Sequence, residues 1–406
     1  MKKIISIIVC LAVISVTVTG CQNIFSQQYD IEEINNKVIA GNTQFAFDIF
    51  KQLNKEDEDK SVFISPLSIS TALSMTYQGA GGNTKDEMSE TLNYKDIDLQ
   101  VINDTYKNHL RYLNQVDNKV KLKINNSIWM KEDKDINEDF LSVNKEIFNA
   151  YVEALDFSND EAAEKINNWI DDATNGKISK MIDSPIPPQV IMYLINAIYF
   201  KGEWVEEFDE KNTFDGEFYA GDGSSQNAMM MNKKDEVEYG QGTDFKAVRL
   251  PYGNGKTAMY CVLPQNGTNI NDFIENMDLQ KWNEIKDSIQ EHDDVILQIP
   301  RFKLEYGVKN LNDSLIALGM NDAFDFNADF SGITAGIQIS RVLHKAVIEV
   351  NEQGTEAAGV TVVEMTESAQ IKDPLEFIAD RPFLFMIEEN ETETILFMGK
   401  LYNIKN

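Results

Sequence analysis

Cysteine and histidine are scarce in this sequence. The 406 residues include three of each. Cys10, Cys21 and Cys261 have no CxxC spacing, and the first two lie in or beside an apolar leader. Only Cys261 is left for the folded part, which excludes a disulfide framework. It sits in the apolar run 259–263, where a lone cysteine reads as a small buried hydrophobe. His109, His292 and His344 are dispersed, and none has a GxSxG-like setting, so the nucleophile and base of a hydrolase are not legible. His292-Asp293-Asp294 is too thin a cluster for a metal, and no P-loop or dinucleotide fingerprint occurs. No enzyme activity, cofactor or metal is expected. Positive charge is also short: 37 Lys and Arg stand against 66 Asp and Glu, a net charge of −29. Such a surface repels a phosphate backbone, so no nucleic-acid partner is expected. There is no internal repeat, low-complexity tract or Pro/Gly/Ser-rich linker. With 43% hydrophobic and 25% charged residues, the chain reads as one large globular domain or two moderate ones.

The N-terminus is basic at Met1-Lys2-Lys3 and then apolar over 4–18. That run falls short of the roughly 20 residues a spanning helix needs, and it has the layout of a signal peptide. Val18-Thr19-Gly20-Cys21 resembles a bacterial lipobox. The expectation is a lipoprotein signal peptide over 1–20, a lipidated Cys21 that anchors the protein to the outer face of a cell membrane, a polar tether to residue 41, and a folded domain over 42–406.

Within that domain, Phe45, Ile49, Phe50 and Leu53 recur at helical spacing. A short strand at 61–64 leads into a helix near Pro66, a residue tolerated in a first turn. Further helices are expected over 85–92, 137–148, 162–174, 270–275, 279–289 and 310–318. Strands are expected over 120–130, 190–200, 257–263, 295–299, 346–350, 383–388 and 395–400. The mixture is α+β with large non-local sheets.

Several blocks, in order, carry a family resemblance. They are Asn42-Thr43-Gln44-Phe45-Ala46-Phe47-Asp48; Ser65-Pro66-Leu67-Ser68-Ile69; Ile166-Asn167-Asn168-Trp169-Ile170 with Thr174-Asn175-Gly176-Lys177-Ile178; Leu194-Ile195-Asn196-Ala197-Ile198-Tyr199-Phe200-Lys201-Gly202-Glu203-Trp204; Asp329-Phe330-Ser331-Gly332-Ile333; Pro382-Phe383-Leu384-Phe385; and Phe397-Met398-Gly399-Lys400. Over about 42–403 the chain resembles a serpin. The resemblance implies the serpin fold, with three β-sheets, about nine helices and an exposed reactive-centre loop at about 352–379. It also implies a suicide mechanism: a serine protease attacks the loop, and the cut loop inserts into the central sheet, trapping the acyl-enzyme. The implied partner is a target serine protease in covalent complex, and a monomer is expected.

The loop residues themselves have period two. Thr355, Ala357, Gly359, Thr361, Val363 and Met365 share one face, while Glu356 and Glu364 lie on the other. Gly354 supplies backbone freedom, and Ala357, Ala358 and Gly359 are small. With Glu352, Thr355 and Glu356 these make up the hinge. Counting forward as the family does puts the scissile bond between Ser368 and Ala369, suited to an elastase-like or subtilisin-like protease, with Met365 and Lys372 as alternatives. The resemblance further implies a polar shutter of Ser65, Ser68, Asn196 and His344. It places a breach at Trp204, where Arg301 and Glu352 can pair with a small net contribution. A non-inhibitory serpin, acting as a surface binding protein or a protease substrate, is the competing reading.

Overall fold

The computed structural model describes residues 29–355 and 374–404. Cys21, hinge residues Glu356, Ala357, Ala358 and Gly359, and the scissile-bond candidates Met365, Ser368, Ala369 and Lys372 lie outside the described residues.

The elements in chain order are α1 (Asn36–Glu56), β1 (Val62–Ile64), α2 (Pro66–Tyr77), α3 (Gly82–Thr91), α4 (Leu99–Leu113), β2 (Val120–Lys131), α5 (Glu138–Phe148), β3 (Tyr151–Leu155), α6 (Asp160–Ala173) and β4 (Met192–Glu203). Then come β5 (Phe214–Tyr219), β6 (Ser225–Gln241), β7 (Phe245–Tyr252), β8 (Thr257–Pro264), α7 (Ile270–Glu275), α8 (Leu279–Ser288), β9 (Gln290–Pro300) and β10 (Phe302–Asn310). The last are α9 (Asn312–Ala317), β11 (Leu343–Asn351), β12 (Gly354–Thr355), β13 (Glu376–Ile378), β14 (Phe383–Glu389) and β15 (Thr394–Leu401). Nine α-helices are thus present among the described residues, none of them long and apolar enough to cross a membrane.

Two hydrogen-bonded strand networks organise the chain. The six-stranded one runs β10-β11-β12-β4-β2-β3. The nine-stranded one runs β1-β15-β14-β8-β7-β6-β9-β13, with β5 on β6. The larger network has two limbs, because the 17-residue β6 pairs with β5 near its start and with β7 near its end, while β9 follows it from Met230 to Tyr239. The limb of β5, β6, β9 and β13 stands where a third sheet is implied. The main core lies between the two networks. It is filled by α1, α2, β14 and β15, and both of these strands are buried along their whole length. A smaller core lies on the other face of the six-stranded sheet, where α6 packs Ile166 and Ile170 against Trp129 and Ile195.

The folded domain starts earlier than residue 42. Asn35 caps α1 by accepting from the Lys37 amide at 2.9 Å, and Val38 and Ile39 extend the apolar stripe into the core. Residues 36–41, expected in the tether, are therefore the first turns of a helix. Gly41 interrupts the helical pattern because its backbone lies against residue 93: a Cβ there would stand 2.7 Å from the Asn93 carbonyl oxygen. Helix α4 is absent from the expected set, although Ile102, Tyr106, Leu110 and Leu113 follow helical spacing, because buried Asn103, Thr105 and His109 blur the apolar face. Strand β9 extends back to Gln290 through the charged residues 291–294, where it pairs with β6 on an exposed face.

One buried cation has a measurable consequence. Lys400 of β15 is fully buried and donates to the Asp57 and Glu58 carbonyls and to Asn271 Oδ1 at 3.2, 3.0 and 2.9 Å. Burial pushes its ammonium down to about 8. Above that pH the unfolded chain holds a proton the folded chain has released, so this group makes stability rise with pH between about 8 and 10. The expected slope is at most about 1.4 kcal/mol per pH unit. Denaturant titrations of the parent and Lys400→Met at pH 7.5 and 9.5 measure it, and the variant should lack the rise.

Candidate functional site

The site is a slot in the six-stranded sheet. Among the described residues no backbone pairing joins β4 directly to β11; only the two residues of β12 bridge them. Thr355 pairs with Val350 on one side and Gly202 on the other, and Gly354 pairs with Asn351 and Glu203. Directly beneath Thr355 is a gap of about 20 Å³ between residues 198–200 and 345–348. At the far end of the slot a cavity of about 120 Å³ lies between residues 192–196 and His344, floored by Ser68 and Leu73 of α2.

The hinge sequence explains this seating. Gly354 has φ +143, a conformation L side chains rarely adopt, and a Cβ on it would lie 2.1 Å from the Gly202 carbonyl oxygen. Thr355 is 2% exposed, and its hydroxyl shares a 2.7 Å hydrogen bond with the buried Tyr252 hydroxyl. Residues 352–355 and 376–378, expected within an exposed loop, are instead ordered against the body. Glu352 and Thr355 are buried, while β13 pairs in parallel with β9.

Trp204, Arg301 and Glu352 lie together at one end of the slot. Glu352 is 1% exposed. Its Oε1 accepts from Arg301 Nε at 2.6 Å and from Thr213 Oγ1 at 2.5 Å, with Arg301 Nη2 also 2.6 Å away. Three donors converge on one sequestered oxygen at the entrance of the slot, while the Arg301 side chain remains partly exposed. Trp204 stacks on Tyr252 with ring centroids 4.4 Å apart, and its Nε1 donates to the Asn351 carbonyl at 3.0 Å. Its amide donates to the Gln353 carbonyl at 2.9 Å. Tyr252 and Thr213 do not stand out in the sequence. The available signal for Tyr252 was a tyrosine ending a strand just before a Gly-Asn-Gly turn.

The shutter residues also converge. Ser65 caps α2: its Oγ accepts from the Ser68 amide at 3.2 Å and donates to the Leu396 carbonyl at 2.7 Å. The Ser65 amide donates to His344 Nε2 at 3.1 Å, and Ser68 Oγ donates to the Asn196 carbonyl at 3.3 Å. Asn196 Nδ2 donates to Asn126 Oδ1 at 2.7 Å, which brings in a residue not foreseen. Asn196 and Asn126 are direct partners across β4 and β2. The Asn196 Oδ1 is buried without a partner, a group poised to accept a bond if the strands part.

His344 accepts at Nε2, so it sits as the neutral imidazole, and burial lowers its affinity for a proton to about 4. Burial lowers His109 to about 3 in the same way. Both contribute stability that is full above the unfolded value near 6.5 and is lost as pH falls toward 4. His344→Gln, which keeps an acceptor for Ser65, should remove up to about 1.4 kcal/mol per pH unit of that acid slope. Chemical denaturation of both chains between pH 4.5 and 7 is the check.

The comparisons with known proteins agree with this geometry. The family description serpin (serine protease inhibitor) matches residues 40–404, and the chain belongs to that family. It is 33% identical over 374 residues to the leukocyte elastase inhibitor of Bos taurus, covering 89% of this chain and 98% of that one. It is 31% identical to intracellular coagulation inhibitor 2 of Tachypleus tridentatus, covering 97% of each. Among solved structures it resembles the thermophilic serpin tengpin in the native state (TM-score 0.81, 31% identity, 93% of this chain and 95% of that one). It also resembles human thyroxine-binding globulin with its bound hormone (TM-score 0.83, 30% identity, 91% and 99%). The nine helices and the sheets are those of the serpin fold. Serpins are generally protease inhibitors, which suggests a protease partner, and both of these relatives are named as inhibitors.

Proposed function

We propose that this protein is a suicide inhibitor of serine proteases that traps the acyl-enzyme by inserting its cut loop into the slot between β4 and β11. The observation that carries the reading is the seated hinge. Gly354 and Thr355 already occupy the top of the strand position, and the slot below them is lined by β4 and β11, with no direct pairing between them among the described residues. Insertion then continues a strand that has begun, adding about a dozen backbone hydrogen bonds at roughly 1 kcal/mol each. Thr355 faces inward onto Tyr252, and the same face continues in sequence through Ala357, Gly359 and Thr361, whose small side chains suit a buried face.

The scissile bond is Ser368–Ala369, and the target is elastase-like or subtilisin-like. Lipidated Cys21 holds the inhibitor at the outer face of the cell membrane, where it acts as a monomer. The test uses protein lacking residues 1–21, mixed with elastase-like, subtilisin-like and trypsin-like proteases, followed by denaturing gels and sequencing of the released C-terminal peptide. A denaturant-resistant complex with one of the first two, and a peptide beginning at Ala369, is the expected result. Cleavage by all three with no complex would sink inhibition and leave a substrate-like or carrier serpin.

A further inference from the structure

The outward face of β2 and β4, above the end of α6, carries a charge opposite to that of the molecule. Lys121 and Lys123 stand two residues apart on β2, both exposed, and Lys201 of β4 is the direct partner of Lys121. Exposed Lys119 precedes the strand by one residue. Among the described residues none of these four lysines makes an ion pair, in a chain where acidic side chains outnumber basic ones 66 to 37. Lys121 instead lies 5.9 Å from the centre of the Tyr199 ring. Like charges directly opposite across a strand pair destabilise it, so Lys121 and Lys201 are a liability unless an anion lies between them.

The surrounding carboxylates bound the strip without neutralising it. Glu203 lies two residues beyond Lys201. Asp117 is buried and accepts from the Lys119 and Asn254 amides at 2.7 and 2.8 Å. Asp171 and Asp172 lie in the last turn of α6, whose Ala173 carbonyl accepts from Asn125 at 3.5 Å. The basic strip is therefore two strands wide, about 5 Å between strand axes, and its charges recur along β2 about every 6–7 Å. At physiological salt the screening length is about 8 Å, so a chain lying along the strip feels these lysines, with exposed Glu203 at its edge, and little of the acids farther away. An extended anionic bilayer would meet the whole −29 surface and be repelled.

We propose that this face binds a linear phosphodiester polymer of the glycerol-phosphate type, lying along β2 with one phosphate at each lysine step and one bridging Lys121 to Lys201. The three-carbon repeat spaces single charges on the scale of alternate residues in a strand, whereas a duplex would be too wide for the strip. The partner gives the protein a second contact, to a single anionic chain, apart from its reactive loop.

The test titrates protein lacking residues 1–21 into a labelled ten-unit glycerol-phosphate oligomer at 25 to 150 mM salt. Saturable binding is expected, with log K falling against log salt at a slope of about −2 to −3, for three or four phosphate contacts on a flexible chain. The combined Lys121→Ala, Lys123→Ala and Lys201→Ala variant should bind at least about tenfold more weakly with a flattened slope, while the matching triple arginine variant retains binding. Equal melting temperatures for the three chains establish that each is folded. No saturation at 25 mM salt, unchanged binding by the alanine variant, or tighter binding to anionic vesicles than to the oligomer overturns the proposal. None of these readouts depends on protease inhibition.

Discussion

Replacing Thr355 by arginine should leave the loop cleavable but abolish the trap. Thr355 is 2% exposed, wedged between β11 and β4 with its hydroxyl on Tyr252. A guanidinium placed there would have to leave water, and among the described residues the gap beneath Thr355 is lined by no carboxylate, so the cost is several kcal/mol. Even about 3 kcal/mol added to the insertion barrier slows that step by more than a hundredfold. Deacylation of the protease then wins the competition, and the inhibitor is consumed as a substrate. The expected result on denaturing gels is loss of the complex with cleavage retained, and at least about a tenfold rise in inhibitor used per protease inactivated. Thr355→Val keeps the shape and loses only the hydroxyl pair, so it should stay close to the parent. Undiminished complex from the arginine variant would show that insertion does not pass through this position.

The second large effect is on stability. Cutting the loop with a protease that is not trapped should make the protein more stable, the reverse of what a chain break ordinarily does. A dozen new backbone bonds at about 1 kcal/mol each amount to roughly 10 kcal/mol. With about 2.1 cal/mol/K of unfolding entropy per residue, that corresponds to a rise in Tm on the order of 10–15 °C for a domain of this length. Circular dichroism melts of intact and cut protein measure it. A cut chain melting at or below the intact one would remove the driving force for trapping. Cut Thr355→Arg should show little of the rise, which ties the two results to the same seat in the sheet.

The parts legible in the sequence are those with a local cause. Strand β2 was expected over 120–130 and forms as Val120–Lys131, because apolar residues alternate with lysines over Val120–Ile124 and Ile128 and Met130 continue the same face. Helix α2 was expected from Pro66 because proline suits a first turn, and Ser65 does cap it. Ser65, Ser68, Asn196 and His344 were named through the family resemblance alone, and their hydrogen bonds lie beneath the sheet. The early start of α1 was hidden by Gly41, which reads as a break but serves a close contact with residue 93. Helix α4 was hidden by polar residues that are buried for tertiary reasons, among them His109, which bonds to Thr394 at 2.9 Å.

What the sequence determined by itself is the set of short-range choices: the small, period-two hinge, the capped helices, the alternating strands and the acidic surface. These follow from side-chain volume, φ preference and periodicity within a few residues. Only the tertiary structure decided that Thr355 lies against Tyr252, 103 positions away, that Glu352 gathers Arg301 and Thr213 on one buried oxygen, and that Lys121 faces Lys201. Each depends on the register between strands far apart in the chain. Register is set by which faces must be buried across the whole sheet, a constraint that no local stretch of residues contains.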